Sequence, residues 1–131
     1  MPKILVADPI GAEGVALLKS RAEVDVKTGM KPPELLAIIS DYEGLVVRSE
    51  TKVTKDVIEK AKKLQVVGRA GIGVDNIDLD AATSAGIAVV NAPTGNTVAA
   101  AEHTMALMLA LSRNVPTAHQ SLKSGEWKRS A

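Results

Sequence analysis

The strongest constraint on this chain is a regular exchange of two kinds of segment. Short apolar runs at residues 4–7, 24–26, 45–47, 64–67 and 87–90 are each followed by a stretch with helical spacing. Residues 4–7, 45–47 and 87–90 are apolar without alternation, the mark of a strand covered on both faces. Between the runs, Val15, Leu17 and Leu18 give an apolar side to a helix over residues 11–21. Pro32-Pro33 opens a second helix that carries Leu35, Leu36, Ile38 and Ile39, because proline is tolerated in a first turn. Thr54 is placed to cap a third helix with Val57, Ile58 and Ala61. Asp78 is placed to cap a short fourth one, which Gly86 stops. Strict alternation of this kind predicts an α/β fold with a parallel sheet and helices on both sides, and five strands fit the flavodoxin-like doubly wound order. A long helix over residues 96–112 follows, then a turn at Asn114, a short helix around residues 118–123 and a loose end.

Composition narrows the function classes. Sixteen basic and 15 acidic residues give a net charge of +1, which supplies no electrostatic footprint for nucleic acid or an anionic membrane. There is no cysteine, so disulfides, thiolate nucleophiles and cysteine-based metal sites are excluded. With Tyr42 and Trp127 as the only aromatic residues, the core must be built from Ala, Val, Ile, Leu and Met. The opening apolar run is too short for a signal peptide, and no stretch of about 18 apolar residues occurs, so the expected compartment is the cytoplasm.

Ligands of open α/β sheets bind beyond the carboxyl ends of the strands. Those ends carry Asp8-Pro9, Arg48-Ser49-Glu50, the bend from Arg69 through Ala70, Gly71, Ile72 and Gly73 to Asn76, and Asn91 to Asn96. Two arginines at adjacent strand ends can converge on one ligand, since neighbouring strands lie about 4.8 Å apart, and the guanidinium fork suits carboxylate or phosphate. The backbone of Ala70–Gly73 offers N–H groups for an anion. The bland alternative is that both arginines are surface residues and that Gly71 and Gly73 serve turn geometry alone. A complete G-x-G-x-x-G dinucleotide fingerprint is absent, because the third glycine is missing and no helix opens directly. The acid pair and the lysine of a phospho-receiver site are missing as well. Glu102 and His103 are neighbours on one helix and point about 100° apart, so they form no ready acid–base pair. His119 lies on the tail, and no metal spacing occurs.

Three ordered segments carry a family resemblance: Leu45-Val-Val-Arg-Ser-Glu-Thr-Lys-Val-Thr54, Val66-Val-Gly-Arg-Ala-Gly-Ile-Gly-Val-Asp-Asn-Ile-Asp78 and Asn91-Ala-Pro-Thr-Gly-Asn-Thr-Val-Ala-Ala-Ala-Glu-His-Thr104. Together they resemble the NAD-dependent D-2-hydroxyacid dehydrogenases, and Arg48-Ser49 with Gly68-Arg-Ala-Gly71 is similar to the branch that acts on 3-phosphoglycerate. The resemblance implies that Arg48, Ser49 and Arg69 hold the charged ends of a small anionic 2-hydroxy acid, with the Ala70, Gly71 and Gly73 backbone at its carboxylate. It implies that Asn96 closes the pocket and that Ile72 and Thr97 lie near NAD. It assigns residues 1–95 to a substrate-binding domain. Residues 96–131 become the hinge and first helices of a cofactor-binding domain whose remainder, with the catalytic residues, lies further along. This reading makes the chain a fragment without catalytic residues, belonging to an enzyme at the entry to serine synthesis.

Two alternatives stay open: another D-2-hydroxyacid dehydrogenase, or a non-enzymatic anion-binding or corepressor-like module of the same fold. The helix over residues 97–111 is apolar in nearly every direction, which predicts burial in a larger core or a subunit interface, with packing on its own sheet as the bland alternative. The resemblance implies a dimer contact there, and self-association through this helix is the expectation.

Overall fold

The structure is a computed structural model and describes residues 1–127. The elements are β1 (Lys3–Val6), α1 (Ala12–Lys19), β2 (Glu23–Val26), α2 (Pro32–Ile38), β3 (Gly44–Val47), α3 (Lys55–Lys60), β4 (Val66–Arg69), α4 (Leu79–Ser84), β5 (Ala88–Asn91), α5 (Thr97–Ser112) and α6 (Val115–Lys123). All four strand pairings are parallel, and the order across the sheet is β2-β1-β3-β4-β5, the doubly wound arrangement expected from the sequence. The chain divides into two compact units, Met1–Gly95 and Asn96–Ala131.

In the first unit the strand register decides which side chains form the core. Leu5, Leu45 and Val67 stand opposite one another across β1, β3 and β4, so they share a face. All three are buried, together with Leu35 of α2, Val57 and Ile58 of α3 and Ala82 of α4. The other face carries Val46, Val66 and Val90; the first two are half-buried and Val90 is 52% exposed. The helix caps follow local chemistry. Asp78 accepts a hydrogen bond from the Ala81 N–H at 2.9 Å, the expected N-cap. Gly86 ends α4 with φ of +70°, and the Ile87 N–H reaches back to the Ala82 carbonyl at 2.9 Å, a Schellman closure. Thr54 occupies the cap position of α3, but its side chain makes no capping hydrogen bond.

Three expectations shift. The fourth strand runs over Val66–Arg69 rather than 64–67: Leu64 belongs to the turn after α3, its N–H donating to the Ala61 carbonyl, while Gly68 and Arg69 are paired with Val46 and Val47 on one side and Val90 and Asn91 on the other. A turn of 3₁₀-helix over Ile39–Asp41 extends the second helix. In the second unit α6 begins at Val115, earlier than expected, after Asn114 takes a left-handed φ of 51°. The loose end expected near the C-terminus lies in part at residues 128–131, outside the described residues.

In the second unit neither α5 nor α6 contains a buried residue. Leu107, Met108, Leu109 and Leu111 are each more than half exposed. Among the described residues no helix is long and apolar enough to cross a membrane.

Candidate functional site

The doubly wound order has its switch point between β1 and β3, and ligands of such sheets favour that crevice. In this chain Asp8 fills it. Asp8 follows β1 and is 1% exposed. Its carboxylate accepts from the Arg48 N–H at 2.6 Å, the Glu50 N–H at 3.3 Å and the Thr51 N–H at 3.1 Å, and from the Thr51 hydroxyl. Burial by itself pushes the Asp8 carboxyl up, but the bonds from Thr51, Arg48 and Glu50 outweigh it and hold the group below its ordinary value. The amides that could have formed an anion nest after β3 therefore already hold an anion, which belongs to the protein.

The two arginines lie one strand over, at the ends of β3 and β4. Val47 stands opposite Arg69, so Arg48 leaves β3 one residue beyond the end of β4. The two arginines are held differently. The Arg69 side chain is only 12% exposed. Its Nε donates to the Asn76 side-chain oxygen at 2.9 Å and to the Arg48 carbonyl at 3.2 Å. With Nε engaged, the two η nitrogens remain to serve an anion, and among the described residues only a loose ion pair with the 86%-exposed Asp75 carboxylate, at 3.8 Å, competes for them. Arg48 is exposed; its backbone is fixed, through the N–H to Asp8 and the carbonyl to Asn76, while its side chain projects from the loop. Ser49 is likewise exposed on that loop.

The bend after β4 lies beside the Arg69 guanidinium. A side chain at Gly71 would come within 2.5 Å of the Arg69 Nη1, so the missing Cβ is what lets the guanidinium rest there. Neither Gly71 nor Gly73 has a positive φ, so close approach rather than turn geometry accounts for Gly71. The Ala70 N–H donates to the Val47 carbonyl at 2.8 Å and the Gly71 N–H to the Arg69 carbonyl at 2.9 Å. Among the described residues the Ile72 and Gly73 N–H groups carry no hydrogen bond, so of the bend's four amides these two are available to a ligand. The far side of the bend is secured by Asn91, whose amide donates to the Ile72 carbonyl at 2.6 Å.

The sequence-predicted residues thus separate into groups. Arg48, Ser49, Arg69 and the stretch Ala70–Gly73 gather at the carboxyl ends of the adjacent inner strands β3 and β4. Asn96 and Thr97 belong to the second unit, where Asn96 precedes α5 and caps it without a side-chain hydrogen bond. His103 on α5 and His119 on α6 are exposed. Among the described residues no group of acids and histidines could hold a metal ion.

The sequence matches the D-isomer specific 2-hydroxyacid dehydrogenase family, catalytic domain, over residues 4–126. The chain belongs to that family. It is 58% identical over 129 residues to D-3-phosphoglycerate dehydrogenase of Methanocaldococcus jannaschii, covering 98% of this chain and 25% of that protein. It is 55% identical over 128 residues to the enzyme of the same name from Archaeoglobus fulgidus, covering 97% and 24%. Among solved structures, NAD⁺-bound 3-phosphoglycerate dehydrogenase of Entamoeba histolytica superposes with a TM-score of 0.73 at 31% identity, covering 83% of this chain and 38% of that one. The chain thus spans about a quarter of the length of the curated relatives it matches.

Membership of the 2-hydroxyacid dehydrogenase family bears out the resemblance carried by the three sequence segments. Two residues that matter to the geometry, Asp8 and Asn76, had no assigned role in the sequence. Asp8 could have been singled out as an acid closing an apolar run at the carboxyl end of a central strand. Asn76 carries no comparable signal, because its partners are a side chain 7 residues away and carbonyls 25 and 28 residues away.

Proposed function

We propose that this dehydrogenase segment binds the substrate in an NAD-dependent oxidation of 3-phospho-D-glycerate at C2, giving 3-phosphohydroxypyruvate for serine synthesis. The observation that carries the reading is the pair of unlike arginines at the carboxyl ends of β3 and β4. Arg69 is a fixed fork beside two free amides, and Arg48 is an exposed arm one strand over. A substrate with a carboxylate at one end and a phosphate at the other offers two anionic groups to such a pair. The fixed fork and the Ile72–Gly73 amides suit the compact carboxylate next to the reacting carbon. The Arg48 arm and the Ser49 hydroxyl suit the more distant phosphate. The similarity to relatives named D-3-phosphoglycerate dehydrogenase supports that choice of substrate over a 2-hydroxy acid with one charge.

The described residues do not fit a dinucleotide by themselves. The bend after β4 leads into a turn, and α4 begins only at Leu79, so no helix N-terminus follows the glycines to receive a pyrophosphate. We therefore assign NAD, and the groups that move the proton from the substrate hydroxyl, to sequence outside this chain. The contribution of this segment is to bind the anion ends and orient C2. The same reading makes the second unit the start of the cofactor-binding domain, with Asn96 at the hinge and Thr97 near the cofactor. It pairs α5 with a second copy of the chain in a cytoplasmic oligomer, and it involves no nucleic acid and no membrane.

The test is kinetic. In a full-length dehydrogenase carrying this segment, Arg69→Ala raises the KM for 3-phospho-D-glycerate by about 10- to 100-fold, as expected for the loss of a charge-assisted contact worth about 1.5–3 kcal/mol. The KM for NAD stays close to its starting value. An unchanged KM for 3-phospho-D-glycerate would contradict the assignment.

A further inference from the structure

We propose that Asn76 and Asp8 are positioning residues that stitch the substrate loop from opposite sides and set the geometry between Arg69 and the Arg48–Ser49 segment. The inference rests on the substrate-binding reading of those strand ends. The segment over residues 48–51 is exposed for most of its length and is not part of a strand or helix, so its conformation must be imposed from outside. Its N–H groups at Arg48, Glu50 and Thr51 all converge on the single buried carboxylate of Asp8. Its carbonyls at Arg48 and Thr51 both accept from the amide nitrogen of Asn76, at 2.8 and 2.7 Å. One residue therefore takes the donors of the loop and another takes its acceptors.

Asn76 has a second function in the same geometry. While its nitrogen holds the loop, its oxygen accepts from Arg69 Nε at 2.9 Å. A single planar amide thus fixes both the guanidinium and the loop that carries the other arginine. The backbone of Asn76 is itself fixed, since its carbonyl accepts from the Val53 N–H at 2.8 Å and the Asp78 N–H donates to the Val53 carbonyl at 2.9 Å. Asparagine is the side chain this position requires. An aspartate there would keep the bond to Arg69 but turn an acceptor toward two carbonyls. Alanine would release both the loop and the guanidinium. Neither Asn76 nor Asp8 needs to touch the substrate, and their effect passes through the orientation of Arg69 and of the loop. Preorganisation of this kind strengthens binding by removing an ordering cost at the moment of contact.

The test uses the 131-residue chain and two readouts. The first is solvent exchange of the Arg69 Nε–H followed by NMR; the second is the Kd for 3-phospho-D-glycerate by calorimetry, with inorganic phosphate as a reference ligand. In Asn76→Ala the Arg69 Nε–H should exchange at least 10-fold faster, and the Kd for 3-phospho-D-glycerate should rise at least 10-fold. In an Arg69→Ala background the same substitution should change the Kd by less than 3-fold, because the group it orients is gone. Asn76→Asp should weaken binding while leaving the Nε–H protected, which separates the loop contacts from the arginine contact. Thr51→Val is a milder probe of the Asp8 side, expected to raise the Kd by a smaller factor with the sheet intact. The inference is overturned if Asn76→Ala leaves the Kd unchanged while Arg69→Ala raises it. If Arg69→Ala itself leaves the Kd unchanged, the substrate-site reading fails, and the positioning role fails with it.

Discussion

The two units of the chain are both rich in aliphatic side chains, yet only the first buries them. In the first, Leu5, Leu45 and Val67 lie on one face of a parallel sheet beneath three helices, and each is at most 1% exposed. In the second, α5 carries Val98, Met105, Leu107, Met108, Leu109 and Leu111, and each is at least 52% exposed. The difference is one of pattern rather than hydrophobicity. The register of a sheet sorts side chains into two faces, and the helices between strands need only one apolar side each. A helix that is apolar all round has no face to give to water, so a single short partner such as α6 cannot cover it. The first unit is a core that closes on itself, whereas the second leaves its apolar side chains exposed.

The largest expected effect tests that contrast at its centre. Leu45→Ala should destabilise the first unit by about 2–5 kcal/mol, the cost of a cavity in a packed core, as read by chemical denaturation. Comparable losses from truncating exposed leucines of α5 would break the comparison.

Acid comes next. The carboxyls of Asp8 and Asp25 are both held below their ordinary value, Asp8 by the bonds from Thr51, Arg48 and Glu50 that outweigh its burial, and Asp25 chiefly by the hydrogen bond from the Tyr42 hydroxyl. Burial, together with the same contact, pushes Tyr42 up to about 12. A carboxyl whose folded value is depressed stabilises the fold at every pH above its unfolded value, about 3.9, and loses that contribution as pH falls toward the folded value. Thermal stability of the first unit should therefore be level through neutrality and fall below about pH 4. In Asp8→Asn that acid-dependent fall should shrink, and an identical pH profile would contradict the role given to Asp8.

A smaller effect separates two caps. Asp78→Ala should cost about 1 kcal/mol, since the side chain caps α4, whereas Thr54→Ala, with no capping bond to lose, should cost a few tenths. Smallest of all, Leu109→Ala on α5 should stay within about 0.5 kcal/mol in dilute monomer, as for exposed positions generally. Equal costs for the two caps, measured by the same denaturation, would show that Thr54 gains a partner in solution.

The contrast also explains what the sequence could reveal. The succession of strands and helices and the apolar sides of the helices were legible because they depend on local periodicity, which repeats every few residues. The start of β4 was not, since Leu64 is as apolar as a strand residue yet serves a turn, and Gly68 and Arg69 become strand only because both neighbours supply ladder partners. The same division holds at the site. Arg48 and Arg69 could be found from their place after apolar runs, and Gly71 from its spacing. The unequal roles of the two arginines could not be found, because they come from Asn76 bridging to Arg69 and to the Arg48 carbonyl, and from Asp8 reaching across 40 residues to the Arg48 N–H. Contacts of that span leave no periodic trace.

The most direct test of the account is an amide-by-amide NMR titration of the 131-residue chain with 3-phospho-D-glycerate. The account predicts shifts concentrated at the Ile72 and Gly73 amides, the Arg69 Nε–H and the residues of the 48–51 loop, with α5 and α6 unmoved. Shifts confined to the second unit, or none at the end of β4 at saturating ligand, would contradict it.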